Sequence, residues 1–182
     1  MAGGTVIMDA RGMDRVLTRM AGEIVDEAGD LSDLAIVGIQ RRGVQLAERI
    51  VEEIERGHGV RPDLGMMDIT LYRDDLQTVG PRPVVGPTDL PWNLEAKHVV
   101  IIDDVLYTGR TVRAALDELA DFGRPARIAL AVLVDRGGRE LPIHADIVGK
   151  KIEVAPRDRV DVLVEELDGK DAVVVVPRDE GA

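Results

Sequence analysis

The amino-acid sequence predicts an α/β fold in which a mainly parallel central sheet is flanked by helices. Short apolar runs alternate along the chain with amphipathic helical segments, which is the pattern of repeated strand–helix–strand units. Most of these runs are continuously apolar, as is typical of parallel strands that helices cover on both faces. The 182 residues are about enough for one domain, so we expect residues 1–182 to form a single unit.

The first half of the chain contains two predicted helices and two predicted strands. Met13 to Ala28 carries apolar side chains at helical spacing, and Leu34 to Ile39 is a short buried strand. Val44 to Ile54 has a second helical stripe, which Gly57 ends. Met67 to Tyr72 alternates apolar and polar residues, as a half-buried strand does.

The second half continues the alternation. Val99 to Ile102 and Ile128 to Val134 are predicted buried strands, and a helix from Thr111 to Leu119 separates them. Further short strands are predicted near Ile147, over Val160 to Val164 and over Val173 to Val176.

This fold class also predicts where a ligand binds. In open α/β sheets the ligand lies beyond the carboxyl ends of the strands, at the point where strand order reverses. The residues that follow Ile39, Ile102 and Val134 are therefore the first candidates for a functional site.

One segment, Arg73 to Asn93, is rich in proline and glycine and is too long for an ordinary connection between elements. Segments of this kind usually bind or cover ligands, so we expect a flexible loop over residues 73–93. A surface hairpin is the alternative interpretation.

Composition and charge exclude several classes of protein. The net charge of −11 disfavours a general nucleic-acid coat protein, although it leaves room for one local basic patch. The chain has no cysteine, which excludes disulfides, thiolate metal sites and cysteine nucleophiles. No apolar run reaches the ~20 residues that cross a bilayer, and the first residues do not resemble a signal peptide. We therefore expect a cytoplasmic protein without a membrane partner.

The most informative segment follows the predicted strand Val99 to Ile102. Asp103 and Asp104 stand at the carboxyl end of this strand, and a short loop with Gly109 leads into the next helix. The start of a helix binds phosphate through unpaired N–H groups, and glycine lets the backbone approach the anion closely. Adjacent carboxylates would repel phosphate but accept hydrogen bonds from the hydroxyls of a ribose. The segment therefore predicts a ribose 5-phosphate ligand, with simple helix capping by either carboxylate as the alternative.

This segment resembles the phosphoribosyl diphosphate (PRPP) signature of type I phosphoribosyltransferases. Further segments resemble one family of that superfamily, the PyrR family of pyrimidine operon regulators that are also uracil phosphoribosyltransferases. The resemblance extends from about Thr18 to about Val164, and its most specific segments are Ile69 to Leu76, Asp103 to Ala114, Gly123 to Pro125 and Leu130 to Gly137. It implies a type I phosphoribosyltransferase fold with a small hood and a flexible loop.

The resemblance also implies an activity and its partners. The reaction is uracil + PRPP → UMP + diphosphate, with Mg²⁺ that is held mainly through PRPP. The second activity is uridine-nucleotide-dependent binding, with UMP or UTP as the effector, to the leader mRNA of pyrimidine genes. A homodimer or a higher homo-oligomer is expected.

Site residues follow from the matched motifs. The resemblance implies catalytic roles for Asp103, Asp104 and Arg73, and it places the base end of the nucleotide at Arg136 and Val160. It implies PRPP-binding roles for Arg41, Arg42, Gly43, Asp103, Asp104, Val105, Leu106, Tyr107, Thr108, Gly109, Arg110 and Thr111. The position of Arg41 and Arg42 after the strand that ends at Ile39 independently suits a leaving diphosphate. A guanidinium group can donate two parallel hydrogen bonds to the oxygens of a phosphate.

The RNA-binding surface agrees with the family only in part. The residues that match it are Thr18, Arg19, Arg139 and Lys150. Better-known members carry His, His and Arg where this chain has Gly22, Gly138 and His144, and the segment Glu153 to Asp158 departs from their Ser/Thr-rich loop.

Several alternatives remain at this point. The chain could be an uracil phosphoribosyltransferase without RNA regulation, an RNA-binding attenuator with vestigial catalysis, or a transferase for purine bases or orotate. A phosphoacceptor receiver domain also has an acidic pair, but that pair follows its first strand and requires a later lysine. No lysine occurs between Lys97 and Lys150, which argues against a receiver.

Overall fold

The computed structural model describes residues 3–69 and 88–178, and these residues form eight strands and four helices. The elements in chain order are β1 (Thr5–Asp9), α1 (Ala10–Ala28), β2 (Leu34–Ile39), α2 (Arg42–His58), β3 (Asp63–Met67), β4 (His98–Leu106), α3 (Arg110–Phe122), β5 (Arg127–Asp135), β6 (Ile147–Lys151), β7 (Arg159–Leu163), α4 (Glu165–Asp168) and β8 (Ala172–Val176). No helix in these two ranges is long and apolar enough to span a bilayer.

The core is a five-stranded sheet with the order β3-β2-β4-β5-β6, in which every neighbouring pair is parallel. Successive strand residues point to opposite faces, so Ile36 and Val100 pack with α1 and α2 whereas Val37 and Ile101 pack with α3. The predicted fold class is confirmed. Strand order reverses between β2 and β4, which places the expected ligand site at their carboxyl ends.

A second, three-stranded antiparallel sheet, β1-β8-β7, forms the hood together with the short helix α4. The two ends of the described chain meet in it, since Thr5 pairs with Val175. Sequence reasoning did not predict β1, because five partly exposed residues show no clear periodicity and their partner strand lies at the far end of the chain. The hood that the resemblance implies is thus built from both ends of the chain.

The helices extend beyond their predicted bounds, α3 for example over Arg110–Phe122, and two of these differences have a clear local cause. α1 begins at Ala10 rather than Met13, because the carboxylate of Asp9 accepts a hydrogen bond from the backbone N–H of Gly12 at 2.8 Å and caps the helix. α2 continues through Gly57 and ends at His58, where Gly59 takes the left-handed conformation with φ +69°. The glycine that ends α2 is therefore the second of the two, not the first.

Two strand predictions also need correction. Of the strand predicted over Met67 to Tyr72, only Met67 is in a strand among the described residues, because the strand lies at Asp63–Met67, where it pairs residue by residue with β2. Residues 70–72 lie outside the described residues. β4 extends to Leu106, so Asp103 and Asp104 belong to the strand itself and do not follow it. Most of the predicted loop lies outside the described residues, and the part from residue 88 is anchored by an antiparallel bridge between Asp89 and Met66.

A close approach between backbones sets the position of α2 relative to the sheet. A Cβ atom on Gly43 would stand 2.6 Å from the carbonyl oxygen of Ile102 in β4, and one on Gly38 would stand 2.6 Å from the carbonyl oxygen of Gly43. Any side chain at either position would force the start of α2 away from β4. The two glycines therefore bring the residues after β2 directly beside the acidic end of β4.

We expect Gly43→Ala to destabilise the fold by about 1–3 kcal/mol, since the added methyl group meets backbone atoms that cannot rotate away. Urea denaturation measures this change. Gly57→Ala in the same helix is the matched control, because a Cβ there meets nothing within 4 Å and alanine should stabilise the helix by about 0.5–1 kcal/mol. An unfolding midpoint for Gly43→Ala equal to that of the wild type would contradict the close approach.

Candidate active site

A cleft of about 1140 Å³ lies at the carboxyl ends of β2, β4 and β5, where strand order reverses. Its walls combine the turn after β2, the end of β4 with the following loop, and the loop before β7. The residues that line it include Arg41, Arg42, Asp103 to Val112, Arg136 and Pro156 to Val160. The site predicted from strand order is therefore a real depression in the surface.

Asp103 and Asp104 both line the cleft, although they are successive residues of one strand. Asp103 is buried, and its Oδ1 accepts a hydrogen bond from the backbone N–H of Asp104 at 2.9 Å. The Oδ1 of Asp104 accepts one from the N–H of Val105 at 2.8 Å. These local bonds fix one oxygen of each carboxylate. A carboxylate pair held in this way suits the two neighbouring hydroxyls of a ribose ring.

The loop after β4 leads into a helix start that has no side-chain cap. Gly109 takes the N-cap position with φ +92°, and the hydroxyl oxygen of Thr108 accepts a hydrogen bond from the N–H of Arg110 at 3.3 Å. A Cβ on Gly109 would lie 3.3 Å from the Cβ of Ile143, so the loop is also packed from behind. The unpaired N–H groups that remain at such a helix start can bind an anion such as phosphate.

The two arginines after β2 differ in their partners. The guanidinium of Arg42 donates two hydrogen bonds to the carboxylate of Asp168 in α4, at 3.1 and 2.8 Å, and this bond raises the pKa of Arg42 above its usual value. The guanidinium of Arg41 is exposed and forms no hydrogen bond or ion pair with residues 3–69 or 88–178. A cis peptide bond joins Gln40 to Arg41. Of the predicted pair, Arg41 is the cation that is available to a diphosphate.

Arg42 and Arg49 together attach the hood to α2. They lie seven residues apart, so two helical turns bring both to the same face. Arg49 donates hydrogen bonds to Glu166 at 3.0 and 2.7 Å and to Asp171 at 3.0 and 2.9 Å. Bidentate arginine–carboxylate contacts hold both position and orientation, so this clamp sets how far the hood stands from the cleft.

The base end of the predicted nucleotide site is built around Arg136. This side chain is buried and donates hydrogen bonds to the carbonyl oxygens of Asp158 at 2.7 Å and of Ala155 at 3.3 Å. Its guanidinium lies 3.9 Å from the centre of the Tyr107 ring. Val160 is buried in β7 and lines the same cleft. The structure therefore brings both predicted base-end residues to the hood side of the cleft.

The four predicted RNA-binding residues do not form one surface. Arg19 and Lys150 line a groove of about 610 Å³ between α1, β1 and β6, together with Arg15, which sequence reasoning missed. Arg19 donates a hydrogen bond to the carbonyl oxygen of Gly149 at 2.5 Å, and Lys150 donates one to the carbonyl oxygen of Ile7 at 3.0 Å. Thr18 is exposed on α1, where its hydroxyl contacts Glu53 at 3.3 Å.

Arg139 lies apart from that groove, beside the loop that follows β4. It donates hydrogen bonds to the carbonyl oxygens of Ile143 at 2.7 Å and of Tyr107 at 2.9 Å, and it forms an ion pair with Asp135 at 2.7 Å. Only 22% of its side chain is exposed. These contacts brace the loop from outside the cleft.

Several lining residues escaped sequence reasoning. The cleft also contains Gln40, Asp68, Glu140, Arg157, Asp158, Arg159 and Arg178. None of these lies in the PRPP signature, and the one available signal was the unusual composition of Glu153 to Asp158. Arg73, expected to be catalytic, lies outside the described residues.

Comparison with known proteins identifies the family. A model described as the phosphoribosyl transferase domain matches residues 5–175. A protein of Chloroflexus aurantiacus named bifunctional protein PyrR is 55% identical over 170 residues, which are 93% of both chains. A protein of the same name from Thermus thermophilus is 53% identical over 176 residues, or 97% of both chains. The chain belongs to the PyrR family.

Solved structures agree with the fold of this PyrR-family chain. A hypoxanthine phosphoribosyltransferase of Trypanosoma cruzi superposes with a TM-score of 0.74 at 20% identity and covers 97% of this chain and 96% of its own. A hypoxanthine phosphoribosyltransferase of Staphylococcus aureus gives a TM-score of 0.72 at 19% identity, with 95% and 91% covered. At these identities the similarity concerns the fold alone.

The cleft contains carboxylates that suit a divalent metal ion. The described residues contain no cluster of three or more His, Cys, Asp or Glu side chains that could hold a metal. Mg²⁺ usually keeps several waters and binds one or two carboxylates together with substrate phosphates. Asp103 and Asp104 line the cleft and supply such carboxylates.

The clamp between α2 and the hood predicts a specific response to acid. Hydrogen bonding to Arg49 lowers the pKa of Glu166 below its ordinary 4.5. The resulting stabilisation is complete above that ordinary value and is lost as the pH falls through the lower folded value. Arg49→Gln should cost about 1.5–3 kcal/mol of unfolding free energy near neutral pH, and the deficit should shrink at about pH 3.

Urea denaturation at both pH values measures this deficit. Arg56→Gln is the matched control on the same helix, because 70% of the Arg56 side chain is exposed and its ion pair with Glu53 lies at the surface. Its stability should stay within about 0.5 kcal/mol of the wild type. A deficit of Arg49→Gln that is equal at both pH values would show that the clamp carboxylates do not titrate as expected.

Proposed function

We propose that this chain is a uracil phosphoribosyltransferase that also regulates pyrimidine genes by binding their leader mRNA. The observation that carries the enzymatic part is the Asp103–Asp104 pair beside the uncapped start of α3 in one cleft. Membership of the PyrR family supports the choice of uracil and the regulatory part.

Each end of PRPP has a partner in the cleft. The carboxylates of Asp103 and Asp104 accept hydrogen bonds from the ribose hydroxyls, and the loop from Tyr107 to Thr111 surrounds the 5-phosphate. Arg41, whose guanidinium is exposed, binds the diphosphate. Arg136 and Val160 lie at the base end of the nucleotide.

The reaction exchanges one bond at the anomeric carbon of the ribose. The bond between this carbon and the diphosphate oxygen breaks, the bond to N1 of uracil forms, and the N1 proton leaves to solvent. Positive charge develops on the ribose ring, so the carboxylates that hold its hydroxyls also stabilise the transition state electrostatically. When bound with PRPP, Mg²⁺ neutralises charge on the departing diphosphate. Arg73, which lies outside the described residues, is proposed to assist this departure.

The regulatory activity is proposed for the groove that Arg15, Arg19 and Lys150 line. RNA phosphates require local positive charge, since the chain as a whole carries −11. Thr18 lies on the same helix, and Arg139 would contribute from beside the loop after β4. A homodimer or higher oligomer would place two such grooves on one particle, and action on a nascent leader mRNA places the protein in the cytoplasm.

A second candidate is a transferase without RNA regulation. Two observations favour it. Arg19 and Lys150 already donate hydrogen bonds to backbone carbonyls, and Gly22, Gly138 and His144 replace residues of the better-known members. UMP or UTP would then act only as product or inhibitor.

The enzymatic proposal predicts that uracil is consumed in preference to orotate and purine bases when each is mixed with PRPP and Mg²⁺. Asp104→Asn should lower kcat/KM about tenfold to 100-fold, because a hydrogen bond to a charged group is replaced by a weaker one. Asp117→Asn, an exposed acid on α3 outside the cleft, should change it little. Diphosphate release is the readout, and preferential use of another base would overturn the uracil assignment.

The regulatory proposal predicts UMP-assisted binding of the chain's own leader RNA in a gel-shift titration. Arg15→Ala, Arg19→Ala or Lys150→Ala should weaken it, and each lost phosphate contact should reduce the salt slope by about 0.7–0.9. Arg124→Ala, an exposed residue after α3, is the matched control. Uracil conversion should persist in all four variants. If the leader RNA binds no tighter than an unrelated hairpin, with and without UMP, the chain is a transferase without RNA regulation.

A further inference from the structure

Tyr107 contacts two segments of the chain, one after β5 and one before β7, from one position in the loop after β4. Its ring lies under the guanidinium of Arg136, at 3.9 Å from the ring centre, and its hydroxyl donates a hydrogen bond to the carbonyl oxygen of Pro156 at 3.2 Å. Its own carbonyl oxygen accepts a hydrogen bond from Arg139 at 2.9 Å. The phosphate side of the cleft is thereby connected through one residue to the hood side.

The loop at residues 155–158 is bound by both Tyr107 and Arg136. The backbone of residues 155–158 receives hydrogen bonds from Arg136 at Ala155 and Asp158, and from Tyr107 at Pro156. Arg136 in turn rests on the ring of Tyr107. This loop lines the cleft and leads directly into β7 and Val160. Two side chains that stack on each other therefore both hold this loop.

Gly138 supplies the space that the Tyr107 ring occupies. A Cβ at position 138 would stand 2.4 Å from Cε2 of the ring, and the backbone there has φ +79°. Gly138 is otherwise exposed, so crowding by other atoms does not explain the missing side chain. A side chain at position 138 would displace the ring, so the observed ring position depends on glycine there.

We propose that Tyr107 is a positioning residue that couples the phosphate site to the base site. Phosphate bound by residues 107–111 orders Tyr107, which through Arg136 and Pro156 orders the loop at residues 155–158 against the base. Gly138 permits this arrangement. The proposal rests on the proposed function and adds that the base and the ribose phosphate bind cooperatively. Such coupling is reciprocal, so each ligand part strengthens binding of the other.

Calorimetric binding of UMP and of ribose 5-phosphate measures the coupling without turnover. In Tyr107→Leu the affinity for UMP divided by the affinity for ribose 5-phosphate should fall about tenfold. The reason is that the contact with the Arg136 guanidinium and the hydroxyl are both lost. Tyr107→Phe keeps the stack and should recover most of that ratio. In kinetics, KM for uracil at saturating PRPP should rise about tenfold in Tyr107→Leu with a much smaller change in kcat. An unchanged affinity ratio, or equal losses for both ligands, would overturn the proposal.

A pair of adjacent glycines isolates the contact with the ring. Gly137 also has positive φ, +71°, but a Cβ there meets nothing within 4 Å. Gly137→Ala and Gly138→Ala should therefore lower the melting temperature, and only Gly138→Ala should lower the UMP to ribose 5-phosphate affinity ratio. Adding Tyr107→Leu to Gly138→Ala should cause no further fall in that ratio. Equal ratios in the two glycine variants would contradict the role of the ring.

The base panel and the binding measurements distinguish a failure of the uracil assignment from a failure of the coupling. If the base panel selects a base other than uracil, the uracil assignment fails, and the same comparison is made with the nucleotide of the selected base. If uracil is selected but the affinity ratio in Tyr107→Leu equals that of the wild type, the coupling fails and the transferase stands.

Discussion

The site depends on a contact between two backbones. Because Gly43 has no side chain, the start of α2 lies against the carbonyl oxygen of Ile102, one residue before the acidic pair. This contact brings Arg41 and the carboxylates of β4 to the same cleft although they belong to different strand–helix units. It also fixes the face of α2 that carries Arg42 and Arg49, and so the place where the hood attaches. Arg41 and the two carboxylates are therefore held at fixed relative positions, because the two main-chain segments that carry them cannot move independently of each other.

The arginines of this acidic chain fall into two groups. One group binds other residues of the chain, and the other is available to a ligand. Arg42, Arg49, Arg136 and Arg139 bind carboxylates or carbonyl oxygens within the chain. Arg41 has no such partner within the described ranges. Buried or half-buried guanidinium groups that bind carboxylates or carbonyl oxygens fix the relative positions of the segments they join. An exposed guanidinium group can bind a ligand. The same residue type therefore supplies both the frame of the cleft and its chemistry.

Local signals explain what could be predicted from sequence. β2, β4 and β5 were predictable because continuous apolar runs form buried strands, and the acidic pair was predictable because it interrupts one of those runs. The role of Arg42 was not, since its partner Asp168 lies 126 residues away and no local pattern links them. The same holds for β1, whose register is set by β8. The ring of Tyr107 was assigned to phosphate binding by its motif, while its contacts lie in segments that follow β5 and β6.

The pairing of β1 with β8 has a consequence for biosynthesis. β1 is translated before the parallel sheet, whereas β8 is translated after it. The parallel core can form as its strands emerge, but the hood cannot close until its last strand is available. A nascent chain therefore forms the ends of β2, β4 and β5 before the hood that faces them across the cleft. A chain that has not yet reached β8 has a folded parallel sheet but a cleft that lacks its hood-side wall.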